Sequence, residues 1–212
     1  MGRLIDSLKA VTMAVIDFEY TTPSGAPPEP FEVAVQVLRV EDNELRLEPG
    51  VEALMRPPTH APLTVFDTGQ TGITADMVDR QPPASEVLGR LDRRFTAGPY
   101  QLIAHHAPAE AGILSSYREY CPNLSRLPIL DTVRLARDLY PDLSKHSLDQ
   151  LARYLSIPTP PDRHRALADA RLTAEIFIRM VADSTWMNLD HMRAIAGYTR
   201  PAPLPEQTTL FG

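Results

Sequence analysis

The sequence predicts an α/β domain, and three observations carry the prediction. Short apolar, β-branched runs alternate with stretches of helical periodicity. Of the 21 prolines, 14 cluster at 27–30, 57–62, 82–83, 158–161 and 201–205, and these clusters mark breaks between the segments. The length of 212 residues suffices for one sizeable core and a tail. The composition is ordinary for a globular protein, with 43% hydrophobic and 23% charged residues.

The first run, Val11 to Ile16, reads as a buried strand and closes on Asp17-Phe18-Glu19. Side chains alternate along a strand, so Asp17 and Glu19 point the same way. Two like charges at the end of a buried strand are either solvated there or hold a divalent cation. Residues 20–30 form a loop, and Phe31 to Val40 is a second strand with Val33, Val35 and Val37 at period two. A turn at 41–44 leads to a third strand over Leu45 to Leu54. The stretch 56–80 begins irregularly, with a helix start near Thr74. Ser85 caps a helix that places Val87, Leu88, Leu91 and Phe95 on one face.

Tyr100 to Ala104 is another apolar strand, running into His105-His106-Ala107-Pro108-Ala109-Glu110. Polar residues at a helix entrance after a strand are where open α/β sheets place chemistry, and Pro108 suits a first helical turn. Leu130 to Leu139 reads as a helix with Asp131 or Thr132 near its start, and Ser147 caps a helix through Leu155. After the extended Pro158–Pro161 segment, residues 164–178 are strongly helical. His164 and Asp169 are five residues apart, about 140° around a helix, so they converge only if His164 lies on the preceding loop.

The candidates are thus Asp17, Glu19, Glu110, His164 and Asp169. Four carboxylates without cysteine describe an oxygen-ligand site for Mg²⁺ or Mn²⁺ rather than zinc. Two such ions roughly 3.5–4 Å apart can serve a phosphodiester displacement, with His164 accepting a proton from water. His105 and His106 read equally as strand-end polar residues, Glu32 as structural, and Arg90, Arg93 and Arg94 as an exposed helix face.

Lys plus Arg is 21 and Asp plus Glu is 27, a net charge of −6 that argues against a broad duplex-coating surface. The single Cys121 excludes an intramolecular disulfide and a Cys-rich zinc site and fits a reducing cytoplasm. The first apolar run is too short for a signal peptide, and no run reaches membrane-span length, so a cytoplasmic protein without a membrane partner is expected.

Asp17-Phe18-Glu19, the strand into His105–Glu110, and His164-x-x-x-x-Asp169 resemble the three motifs of the DEDDh 3′→5′ exonuclease family, in its polymerase III proofreading-subunit-like and exodeoxyribonuclease X-like branches. Residues 71–77 and 131–137 resemble its connecting segments, and 186–197 the region after its last motif. The resemblance implies an RNase H-like fold with a mixed central sheet flanked by helices. It implies an exonuclease domain over 1–182, a helical extension over 183–198 and a flexible tail over 199–212. It further implies catalysis by Asp17, Glu19, Glu110, Asp169 and His164, two Mg²⁺ or Mn²⁺ ions on the four acids, and substrate contacts from Phe18, Tyr20, His105 and His106. The implied substrate is DNA with a free 3′ end; hydrolysis of RNA and a weakly catalytic DNA-end-binding module are the alternatives. The sequence departs from the family pattern at Glu110, His106 and Tyr20, where Asp, Asn and Thr are usual. The tail ends in Gln207-Thr208-Thr209-Leu210-Phe211, one polar contact and two apolar plugs. It resembles the Q-x-x-L-F peptide that binds the bacterial sliding clamp, so Gln207, Leu210 and Phe211 are the expected clamp contacts.

Overall fold

The computed structural model describes residues 2–198; the clamp-binding residues Gln207, Leu210 and Phe211 lie outside the described residues. The chain opens with helix α1 (Gly2–Lys9) and the strands β1 (Thr12–Thr21), β2 (Glu29–Glu41), β3 (Glu44–Leu47) and β4 (Val51–Leu54). Helices α2 (Val65–Thr71), α3 (Ala75–Val78) and α4 (Ala84–Asp92) follow, then β5 (Tyr100–Ala104), α5 (Ala107–Ser116), β6 (Ile129–Asp131) and α6 (Thr132–Leu139). The last elements are α7 (Leu148–Tyr154), α8 (Ala166–Asp183), α9 (Leu189–Ala196) and β7 (Gly197–Tyr198). Among these helices none is long and apolar enough to cross a membrane.

The seven strands form one sheet in the order β3-β2-β1-β5-β6-β7, with β4 also paired to β2. β1 runs parallel to β5 and β5 to β6, while β1–β2, β2–β3, β2–β4 and β6–β7 are antiparallel. The sheet is therefore mixed, and helices cover both faces. Alternation along β1 sorts its side chains between two cores. Met13 and Val15 join the layer that holds Leu135, Leu151, Phe177 and Met180. Ala14, Ile16 and Phe18 join Leu88, Ile113, Leu114 and Cys121 on the opposite face. Continuing the period, Asp17 and Glu19 belong to the face of Met13 and Val15, the face covered by α8.

Four local expectations are corrected. The single third strand over 45–54 is two strands, both paired to β2. Pro49 has no N–H for a ladder, and at Gly50 a Cβ would lie 2.6 Å from Leu167 Cδ1, so the strand breaks where α8 comes close. The helix expected from Leu130 starts at Thr132, because Ile129 and Leu130 are buried in parallel pairing with β5. Asp131 is the cap, accepting from Val133 N–H at 2.9 Å. The helix assigned to a Ser85 cap begins at Ala84 after Pro83, with no side-chain cap. Within the stretch read as irregular, Thr64 and Asp67 build a reciprocal capping box that starts α2.

Phe177 is fully buried and anchors α8 against the sheet. Phe177→Ala is expected to lower unfolding free energy by about 3–5 kcal/mol, measured by urea denaturation.

Candidate active site

The site forms where the carboxyl ends of β1 and β5 meet the first turns of α5 and α8. Asp17 and Glu19 come from β1, and a register shift follows between Glu19 and Tyr20. Asp169 comes from the first turn of α8, where its N–H bonds to Arg165 O at 3.0 Å. One carboxylate oxygen from each of Asp17, Glu19 and Asp169 lies within 4.8 Å of the others. Glu110 sits in the first turn of α5 and is 4% exposed. All four acids line one cavity of about 510 Å³.

Burial is the largest influence on each perturbed acid. It raises Asp17 well above the usual carboxylate range, with Glu110 and Glu19 adding repulsion. Burial and Glu32 push Glu19 to about 7. Glu110 is pushed to about 8, by burial first, then by Asp131 and Glu19 against a backbone hydrogen bond that lowers it. Its Oε2 is buried without any hydrogen-bond partner. An orphaned carboxylate oxygen beside three clustered carboxylates is a donor set suited to hard divalent cations, and no sulfur is among them.

The remaining predicted residues are distributed unevenly. Phe18, Tyr20, His105 and His106 all line the cavity. Phe18 is itself buried in the second core, and Tyr20 has its phenol pushed up by burial and by the acids. His105 Nδ1 lies 2.9 Å from Thr132 Oγ1, and that hydroxyl donates onward to Ala104 O at 3.3 Å. Thr132 thus holds the ring at Nδ1, and the His146 backbone gives it a further hydrogen bond. Burial lowers His105 to about 4, so the ring is neutral at physiological pH. His106 occupies the left-handed region at φ 75° as the cap residue of α5, and its N–H reaches Asp131 Oδ1 at 3.3 Å. His164 lies on the loop before α8 at φ 65°, exposed and outside the cavity lining.

Two arginines flanking His164 carry contacts that sequence reasoning missed. Arg163 pairs through Nη1 with Asp169 and through Nε with Asp149 Oδ1 at 2.8 Å. Arg165 grips the fully buried Glu32: Nε reaches its two carboxylate oxygens at 3.0 and 3.2 Å, and Nη2 reaches Oε1 at 2.6 Å. Ala166 N–H adds a bond to Glu32 Oε2 at 2.8 Å. Positions 32 and 165 are 133 residues apart, so no local pattern joins them. Phe66 of α2 also lines the cavity and is 68% exposed; it lay in the stretch read as irregular.

The exonuclease family (RNase_T) matches residues 14–177. The chain is 32% identical over 167 residues to the PolC-type DNA polymerase III of Caldanaerobacter subterraneus subsp. tengcongensis, covering 79% of this chain and 11% of that protein. It is 33% identical over 162 residues to the PolC-type polymerase of Clostridium perfringens, covering 76% and 11%. The chain thus spans about a tenth of the length of these relatives. Among solved structures, exonuclease X in complex with 5′ overhanging duplex DNA is 25% identical with a TM-score of 0.64, covering 86% of this chain and 98% of that one. The nuclease domain of 3′hExo, a DEDDh family member bound to rAMP, shares the fold at 24% identity and a TM-score of 0.68, with 82% and 92% covered. With the family match spanning most of the fold and the mixed sheet bringing the acids of all three motifs to one cavity, the chain belongs to the exonuclease family.

Proposed function

We propose that this exonuclease degrades DNA in the 3′→5′ direction, releasing nucleoside monophosphates with two bound Mg²⁺ or Mn²⁺ ions, and serves repair or proofreading while tethered to the sliding clamp. The observation that carries the reading is the convergence of Asp17, Glu19 and Asp169 within 4.8 Å beside the orphaned Glu110 oxygen. These four carboxylates would hold the cations. When bound, the ions supply Lewis-acid activation of water and of the phosphodiester. The PolC-type relatives and the DNA-bound exonuclease X structure support DNA as substrate. The Q-x-x-L-F tail supports the tether, which would raise the local concentration of DNA ends around an acidic protein.

The chain's own residues then have separate tasks. His164, on a loop outside the cavity lining, is the general base that would take the proton from the attacking water. Neutral His105 lines the cavity without adding positive charge. Phe18 and Tyr20 line the wall, and His106 stands at the helix entrance. Arg163 pairs with Asp169, one of the acids that would hold the cations.

A 5′-labelled single-stranded DNA should shorten as a ladder from its 3′ end with Mg²⁺ or Mn²⁺ and stay intact with EDTA, faster than RNA of the same sequence. Asp17→Ala and Asp169→Ala should each lower kcat on the order of 10³-fold or more with unchanged circular dichroism. Wild-type rates in either variant would refute the metal-site assignment, and faster cleavage of RNA would refute the substrate.

The raised acids give a second expected outcome. Glu19 and Glu110, at about 7 and about 8, bind protons more tightly folded than unfolded. Their contribution to stability is complete below the unfolded carboxylate range of ~4 and is lost as pH rises through 7 and 8. In EDTA the melting temperature should therefore fall between about pH 5 and 8.5. Glu110→Gln should flatten part of that fall, and Mn²⁺ should reverse it most at the alkaline end. A melting temperature that rises over this window would contradict the electrostatics.

Removing residues 207–212 should abolish clamp binding in surface plasmon resonance and leave hydrolysis of short oligonucleotides unchanged. Undiminished clamp binding after the truncation would exclude the tail as the contact.

A further inference from the structure

We infer that Glu32 is a positioning residue for catalysis: through Arg165 and Ala166 it fixes the anchor about which the His164 loop turns. The inference rests on the reading of His164 as general base.

Residues 163–165 set His164 between two ion pairs of unlike character. Among the described residues, no hydrogen bond or ion pair engages the His164 side chain. On its amino side, Arg163 bonds Asp149, whose side chain is 57% exposed, and Asp169, which the cations would claim. That contact is conditional. On its carboxyl side, Arg165 bonds a carboxylate with no solvent exposure at all. Glu32 accepts three contacts from the guanidinium and one from the Ala166 amide. A buried carboxylate so saturated does not exchange with water without leaving a charge unpaired.

The pair joins three parts of the machinery. Glu32 stands directly opposite Glu19 in the β1–β2 register. Its bond to Ala166 N–H satisfies a free amide in the first turn of α8, the turn that presents Asp169. Arg165 is covalently adjacent to His164. One buried side chain thus references the loop, the helix and the strand to one another. With Arg165 pinned, rotation at 163–164 can move the imidazole while the helix stays in place. With Arg165 free, the imidazole would sample many positions, and a misplacement near 1 Å costs rate heavily.

The test is a double-mutant cycle between Glu32→Gln and His164→Ala in the full-length protein. The amide keeps the side-chain volume and an acceptor for Ala166 N–H while removing the ionic grip on Arg165. Glu32→Gln is expected to lower kcat about 10–100-fold, with KM on a short DNA oligonucleotide changed less than about 3-fold. In the His164→Ala background the same change should cost less than about 3-fold, because the group being positioned is gone. Mn²⁺ affinity, measured by electron paramagnetic resonance, should stay within about 3-fold of wild type. Equal losses in both backgrounds, a kcat unchanged by Glu32→Gln, or a tenfold weaker Mn²⁺ affinity would each overturn the inference. His164→Ala with wild-type kcat would overturn the base assignment and the inference together; a slowed but measurable His164→Ala with multiplicative losses would overturn the inference alone. Should Glu32→Gln melt below the assay temperature, Arg165→Gln breaks the pair from its partly exposed end and is held to the same outcomes.

Discussion

Burial of several carboxylates beside one another is the constraint on which the rest of this end of the molecule depends. Asp17, Glu19, Glu110 and Asp169 share one cavity, with Glu32 and Asp131 close behind. Such a concentration of negative charge survives only if each acid is protonated, paired or facing a positive end of the backbone. All three devices are present. Glu110 and Asp169 lie in the first turns of α5 and α8, where helix dipoles favour anions. Arg163 and Arg165 neutralise Asp169 and Glu32. The acids left without sufficient compensation hold protons near neutral pH. This crowding of carboxylates is the kind of charge that a hard divalent cation would offset.

The sheet supplies the rigidity that this arrangement requires. β1 is central, hydrogen-bonded to β2 on one side and β5 on the other. Its alternation hands Met13 and Val15 to one core and Ala14, Ile16 and Phe18 to the other, so it cannot rotate without exposing one of them. α8 is 18 residues long and packed along that same layer. The distance between Asp17 and Asp169 is fixed by two packed surfaces rather than by any bond between them.

The parts of this molecule legible in sequence were those with a short-range signature. The period-two pattern of β1 and β2, the strand-to-helix step at Ala104–Ala107 and the placement of His164 ahead of α8 follow from local steric rules. Motif order and spacing carried the family and its mixed sheet. The break at Pro49-Gly50 was not legible because it depends on the approach of Leu167 from α8. Ile129–Asp131 is too short a strand to show a period, and its identity comes from pairing with β5. α1 went unread because three apolar positions in eight residues make a weak signal. The Glu32–Arg165 pair spans most of the chain, and the Arg163 contacts depend on a loop conformation that no residue type dictates.

The direction of β7 has a consequence for where Tyr198 lies relative to the site. Gly197 faces Leu130 and Tyr198 faces Ile129, so the chain travels back along β6, away from Asp131 and the catalytic rim. At Tyr198 the polypeptide is heading toward the pole of the sheet opposite the acids. Tyr198 itself therefore lies away from the mouth of the cavity.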